Sequence, residues 1–277
     1  MYKILKKEKL NDAVTRMVVE APFAAKKAEP GQFIILRVDE NGERIPLTIS
    51  DFDREKGTVT IIFQIVGAET SRLNMKEEGD YIHDFAGPLG NPTKTDGYKK
   101  VAVIGGGVGS AIAFPVVKKF YKNGTEVHTI CGFRNKDLVI LEDEFKENSS
   151  KYVLVSDDGS TGTKGFVTDA LKSLIDSGEN YDLVIAIGPL PMMKFVSKLT
   201  KEYGIKTIVS MNPIMIDGTG MCGGCRLTVG GETKFACVDG PEFDGHLVDF
   251  DEAIERGAMY KNFERESNCN LLNKEVQ

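Results

Sequence analysis

Apolar residues in this chain recur with one period over the first third and another over the middle, and the change falls at about residue 97. From residue 2 to about 96, "TRMVVEA", "GQFIILRVD", "RIPLTISD" and "GTVTIIFQIV" are alternating or β-branched, and Gly, Pro, Asn or Asp separates them. A period of two with turn residues between the runs predicts antiparallel strands, and strands in succession predict a small barrel. Only "ETSRLNMKE" is helical in character there, with Thr70 and Ser71 near its N-terminus. Beyond "GPLGNPTKTDG", the apolar strands "KVAVIGG", "EVHTICGF", "KYVLVSD", "YDLVIAIG" and "IKTIVSM" alternate with amphipathic stretches such as "AIAFPVVKKFYKNG" and "PMMKFVSKLTKEYG". Five strands with helices between them predict a doubly wound parallel sheet. The expected organisation is an antiparallel β-barrel over residues 1–97 and an α/β domain with a five-stranded parallel sheet over 98–212. A small Gly- and Cys-rich module over 213–250 and a tail over 251–277, beginning as the acidic helix "DFDEAIERGAMYKNF", complete it.

A hydrophobic fraction of 41% over 277 residues can fill a real core. The formal charge of −6 comes with no dense basic block, so neither nucleic acid nor an anionic membrane surface is an expected partner. No apolar run reaches the roughly 20 residues needed to cross a bilayer. "MYKILKKEKLNDAV" lacks the apolar segment of a secretory signal, and a cytoplasmic location is expected. Three of the five cysteines, Cys222, Cys225 and Cys237, fall within 16 residues. That clustering suits metal binding in a reducing compartment better than a disulfide framework.

"VAVIGGGVGSA" is an apolar strand running into glycines and then a helix. Gly105 and Gly107 would let the backbone turn tightly against a pyrophosphate, and Val108 and Gly109 lead into a helix N-terminus with free N–H groups. Ser110 stands where a dinucleotide fingerprint has its third glycine, and a Gly-rich turn without ligand is the blander alternative. "SDDGSTGTKG" follows the third strand of the sheet. Asp157 and Asp158 there would repel a 2′-phosphate and favour NAD(H) over NADP(H), unless the stretch is an ordinary turn. In "RIPLTISD", Arg44 and Thr48 lie four apart on one strand and share a face. A guanidinium can bind pyrophosphate and a hydroxyl can hydrogen-bond a ring, although an exposed Arg and Thr on a strand are common without a ligand.

Together these stretches resemble the ferredoxin reductase superfamily, in which a flavin barrel precedes a nicotinamide domain. "RIPLT", with Pro46 and Leu47 inside it, matches the Arg-x-Pro-x-Ser/Thr flavin segment. "GAETSRL", with Gly67, Thr70 and Ser71 and with Ile65 just ahead of it, matches the second flavin segment, and "GPLG" the end of the barrel. "CGFRNKDLVILEDEF", "DDGSTGTKGFVTD" and "AIGPLPMMKFV" look like electron-transfer subunits of the dihydroorotate dehydrogenase type. That likeness adds Gly188 and Pro189 to the cofactor-binding residues. It covers residues 2 to about 250 and implies FAD, NAD(H) and a C-terminal [2Fe-2S] cluster.

Cys222, Cys225 and Cys237, spaced Cys-x2-Cys-x11-Cys, match the second to fourth cluster ligands of that group, and the first falls on Asp217. A carboxylate can replace a thiolate on iron and would alter the cluster's potential. An Asp at this place is similar to the small subunits of electron-bifurcating, NADH-dependent reduced ferredoxin:NADP+ oxidoreductases and to their sulfide dehydrogenase relatives. Three alternatives stay open: a structural zinc, a cluster with Asp217 only a turn residue, and His246 as substitute ligand. The resemblance implies that FAD passes the electrons of NADH singly to the cluster and on to a larger flavin and iron–sulfur subunit, with ferredoxin reached indirectly through it. No acid/base residue is expected. The rivals are a dihydroorotate dehydrogenase electron-transfer subunit, a stand-alone flavin reductase and a non-enzymatic nucleotide-binding scaffold. Cys131 is expected to be a small buried residue and Cys269 has no assigned role; His83 and His128 are expected to be satisfied locally.

Overall fold

The computed structural model describes residues 1–266, and Cys269 lies outside them. The first unit contains β1 (Tyr2–Asn11), β2 (Val14–Glu20), α1 (Pro22–Lys27), β3 (Phe33–Arg37), β4 (Arg44–Asp53), β5 (Thr58–Gln64), α2 (Ala68–Met75), β6 (Tyr81–Ile82) and β7 (Asp84–Leu89). All pairings are antiparallel, in the order β6-β1-β2-β5-β4-β3-β7. Strands β6 and β7 sit at opposite edges of this sheet, yet only His83 separates them in sequence. The sheet must therefore curl until its edges meet, which makes it a near-closed barrel. Met17, Val19, Ile34, Leu36, Ile49, Ile61 and Phe63 fill the interior, and Leu73 of α2 packs against them. Strand β3 is apolar on both faces: Ile34 and Leu36 point into the barrel, while Phe33 and Ile35 belong to the core of the neighbouring domain.

The second unit runs β8 (Lys100–Gly106), α3 (Gly109–Lys122), β9 (Glu126–Phe133), α4 (Glu142–Glu147), β10 (Lys151–Ser156), β11 (Thr163–Lys164), α5 (Val167–Asp176), β12 (Leu183–Ile187), α6 (Leu190–Glu202) and β13 (Thr207–Ser210). Then come the hairpin β14 (Arg226–Val229) and β15 (Glu232–Phe235), β16 (Glu242–Asp244) and α7 (Phe250–Arg256). The five expected strands form a parallel sheet in the order β10-β9-β8-β12-β13. Two short strands extend it: β11 beside β10, and β16 antiparallel to β13. Alternation decides the layers. Val101 and Val103 of β8 face the α3 side, and Ala102 and Ile104 face the core shared with α5, α6 and the cysteine-bearing module. Val14 and Ile62 of the barrel join the α3-side core, and Lys118 to Asp51 (2.7 Å) and Arg16 to Glu144 (2.9 Å) tie the units at their surface. Among the described residues no helix is long and apolar enough to cross a membrane.

Glu242 on β16 accepts a hydrogen bond from the Thr93 hydroxyl at 2.6 Å, and no cation pairs with it among the described residues. Burial pushes its carboxyl up from 4.5 to about 7. The folded state thus holds this proton more tightly than the unfolded one. The resulting stability is full below about 4.5 and is lost as pH rises through about 7. Glu242→Gln keeps the neutral acceptor, so its melting temperature should fall less between those pH values than that of the parent. Parallel melting curves for the two proteins would refute the assignment.

Candidate functional site

One cleft of about 1410 Å³ opens between the barrel and the C-terminal edge of the parallel sheet. Its barrel wall is Phe33, Pro46, Leu47, Thr48, Ile62, Val66 and Thr70, and its sheet wall is Gly106 to Gly109, Arg134, Asp157, Gly188 and Pro189. The chain leaves β8 in one direction through β9 and β10 and in the other through β12 and β13, and the cleft sits at that switch of direction, where open α/β sheets bind ligands.

Each wall follows from local chemistry. Strand β4 pairs with β3 so that Thr48 lies opposite Phe33 and Pro46 opposite Ile35. The Thr70 hydroxyl accepts the N–H groups of Val66 and Gly67, both at 3.0 Å, and fixes the turn that starts α2. Gly107 has φ +56°, a conformation that costs an L-residue, and its N–H bonds Gly132 O at 2.8 Å. At Gly109 a Cβ would stand 2.5 Å from Ile187 O, so α3 begins directly against β12. No side chain caps α3; the N–H groups of Ser110 and Ala111 bond Gly107 O (3.1 Å) and Val108 O (3.0 Å), which leaves those of Val108 and Gly109 to an anion in the cleft. Ser110 fits in place of a third glycine because its partner Gly105 has no side chain: a Cβ there would meet Ser110 Oγ at 2.7 Å.

Of the residues expected at cofactors, Pro46, Leu47, Thr48, Thr70, Gly107, Val108, Gly109, Asp157, Gly188 and Pro189 line the cleft. Arg44, Ile65, Gly67, Ser71, Gly105 and Asp158 are not among the lining residues. Arg44 is exposed opposite Arg37 on the adjoining strand. Ile65 packs against the barrel core. Asp158 is engaged locally, its carboxylate accepting the Ser160 N–H at 2.9 Å, and the Ser160 hydroxyl and N–H hold its carboxyl below the usual range. Phe33, Arg134, Phe166 and Phe195 line the cleft without having been expected there. Phe166 and Phe195, 63% and 59% exposed, are large apolar surfaces in a loop and on a helix. Their signal was an aromatic at a position where periodicity calls for a polar residue.

The cysteine loop lies against the same sheet. Cys225 and Cys237 are 1% and 2% exposed, and their sulfurs are 3.2 Å apart. Burial pushes the Cys237 thiol up, so a thiolate there needs a metal cation beside it. Cys222 is exposed, and Asp217 accepts the N–H groups of Thr219 (2.9 Å) and Cys222 (3.0 Å), which hold its carboxyl low. Among the described residues, the one trio of His, Cys, Asp or Glu ligand atoms within 4.8 Å of one another is Glu126, His128 and Glu179. No three of the ligand atoms of Asp217, Cys222, Cys225 and Cys237 come within 4.8 Å of one another. One close pair with two further donors nearby suits a two-iron cluster. The Glu126 trio is at the opposite edge of the sheet and already neutralised: Lys100 bonds both carboxylates, and with Lys151 it holds Glu179 down at about 2.

His246 bonds Thr200 Oγ1 at 3.1 Å, and His128 bonds Tyr181 and Glu126. His83 bonds Asp84 and Arg37. Cys131 is fully buried, and burial pushes its thiol up to about 12, which leaves it inert.

Residues 103–198 match the oxidoreductase NAD-binding domain, and residues 212–249 match the iron-sulfur cluster binding domain of dihydroorotate dehydrogenase B. The chain is 47% identical over 265 residues to the dihydroorotate dehydrogenase B (NAD(+)) electron transfer subunit homolog of Thermotoga maritima, covering 96% of this chain and 93% of that one. It is 54% identical over 272 residues to an uncharacterised Clostridium beijerinckii protein from the adh 3′ region, covering 95% and 92%. A chain of the solved NADH-dependent reduced ferredoxin-NADP oxidoreductase, a structure bearing on flavin-based electron bifurcation, superposes with a TM-score of 0.93 at 45% identity over 98% of both chains. These matches span nearly the whole chain, and their NAD-binding and iron–sulfur segments fall on the sheet wall of the cleft and on the cysteine loop. The chain thus belongs to the family of dihydroorotate dehydrogenase B electron-transfer subunits, oxidoreductases that join a NAD-binding domain to an iron–sulfur domain.

Proposed function

We propose that this chain takes electrons from NADH, or returns them to NAD+, at an FAD in the shared cleft and relays them through a [2Fe-2S] cluster to a larger flavin and iron–sulfur subunit. The observation that carries this reading is the shared cleft itself: Thr48 of the flavin segment and Gly107 of the nucleotide loop face one space. When bound, the flavin supplies acceptance of a hydride, that is two electrons and a proton, from NADH and their release one at a time to ferric iron. The residues position and exclude. The α3 N-terminus would receive a pyrophosphate, and Asp157 would disfavour a 2′-phosphate. Thr48 would offer a hydroxyl to the flavin ring, and Phe33, Pro46 and Leu47 would keep water from it. Asp217, Cys222, Cys225 and Cys237 would hold the cluster.

As an electron-transfer subunit the chain works with a larger partner in a heterodimer or higher assembly, and the cytoplasm is the place for it. Asp217, a carboxylate where the dihydroorotate dehydrogenase subunits have their first cysteine ligand, favours a ferredoxin:NADP+ oxidoreductase partner, with ferredoxin reached through that partner. The chain, purified anaerobically, should carry about one flavin, two irons and two sulfides. NADH should bleach both chromophores, and faster than NADPH does. Zinc without flavin would leave the fold standing and sink the function.

A further inference from the structure

We infer that the segment leaving the barrel, residues 87–93, is the seat that holds the cysteine loop at a fixed separation from the flavin wall of the cleft, with Gly218 as the positioning residue on the loop side. The inference rests on the proposed function for its consequence, but its geometry stands by itself. Gly218, next to Asp217, is buried with φ +76°. A Cβ on it would stand 2.7 Å from Leu89 Cδ1 and 2.9 Å from Ile35 Cδ1. Gly90 makes the reciprocal approach: its Cβ would lie 2.8 Å from Phe33 and 2.9 Å from Pro241. Polar bonds lock the contact. Asn91 donates its N–H to Gly240 O at 2.7 Å and its side-chain amide to Val238 O at 3.1 Å, and Thr93 donates to Glu242.

The place of this seat matters. Phe33 and Ile35 share one buried core with Cys225, Cys237 and Met215, and on the next strand they lie opposite Thr48 and Pro46 of the cleft wall. Strand β3, with Met211 and Met215 beside it, thus lies between the cleft and the buried thiols. A close-packed interior does not yield gradually, so a group inserted at Gly218 displaces the loop that carries Asp217. Electron transfer depends steeply on separation, whereas hydride transfer at the other wall of the cleft does not depend on this contact.

Two variants of the full chain test the seat: Gly218→Ala crowds it from the loop side, and Leu89→Ala loosens it from the barrel side without straining the loop. In protein stripped of cofactors, iodoacetamide should label Cys225 and Cys237 several-fold faster in both variants than in the parent. In loaded protein with full iron content, NADH should bleach the flavin at the parent rate while cluster reduction, followed by freeze-quench electron paramagnetic resonance, slows several-fold. Gly218→Ala combined with Leu89→Ala should recover part of that rate, because the lost side chain makes room for the new methyl. If Gly218→Ala does not fold, Leu89→Ala carries the test alone. Parent-like labelling and parent-like cluster reduction overturn the inference. Absence of flavin and iron from the parent would instead fail the functional reading and leave the labelling result to decide the seat.

Discussion

Cys237→Ala should empty the iron–sulfur site while the flavin cleft survives. Cys237 is one of a sulfur pair 3.2 Å apart and is 2% exposed, so no solvent ligand can take its place without opening the core it shares with Phe33 and Ile35. Acid-labile sulfide and iron should fall to background, and the protein should melt well below the loaded parent, because metal bound only by the folded chain adds its binding free energy to stability. The flavin should still bleach with NADH, since Thr48, Thr70 and the nucleotide loop at Gly107 lie outside the core that holds Cys237. Asp217→Ala should be milder. That carboxylate belongs to the accessible half of the ligand set, where water or an added thiol can substitute, so cluster content should drop partly and the potential should shift. Its two backbone hydrogen bonds, from Thr219 and Cys222, would also be lost, loosening the turn that carries Cys222. A full cluster in Cys237→Ala, or a greater loss in Asp217→Ala than in Cys237→Ala, would mean that the buried pair is not the anchor.

Both layers of this fold were legible because their periods differ and each is written over many residues. The doubly apolar β3 was legible as a strand but not in its double duty, since an unbroken run such as "FIILR" looks the same whether its second face meets a domain or a ligand. The barrel was legible, but the place where it closes was not, because closure depends on one residue, His83, between strands of which the first has two residues. The edge strands β11 and β16, with two and three residues, carry too little pattern to stand out from loops. At the site, residue type and spacing pointed to the nucleotide loop and the cysteine loop, but not to which atoms face the cleft. Asp157 and Asp158 are adjacent and identical in sequence, and only the turn at Ser160 sends one to the cleft and keeps the other. Phe166 and Phe195 could have been found as exposed aromatics at loop and helix positions, but a lone phenylalanine is more often core.

The two glycines of the nucleotide loop should fail differently, and the contrast tests how the loop works. Gly109→Ala places a methyl 2.5 Å from Ile187 O and 2.7 Å from Gly188 Cα, both backbone atoms of the β12 segment, which cannot rotate away as a side chain would. Helix α3 must lift from the sheet, against a face where Ala113, Val116, Val117 and Phe120 are buried. Overpacking of this kind costs about 1–3 kcal/mol, so the melting temperature should drop by several degrees. The same lift draws the uncapped helix terminus away from the cleft. NADH affinity should fall roughly tenfold or more, about 1.4 kcal/mol per decade, while iron content stays at the parent level. Gly107→Ala meets nothing within 4 Å; its cost is the left-handed backbone alone, about 1–2 kcal/mol, and the helix stays seated. It should therefore bind NADH more tightly than Gly109→Ala even where the two melt alike. If the two variants instead lose affinity in proportion to stability, the loop acts only by being folded, and the anion site at α3 is not what holds the nucleotide.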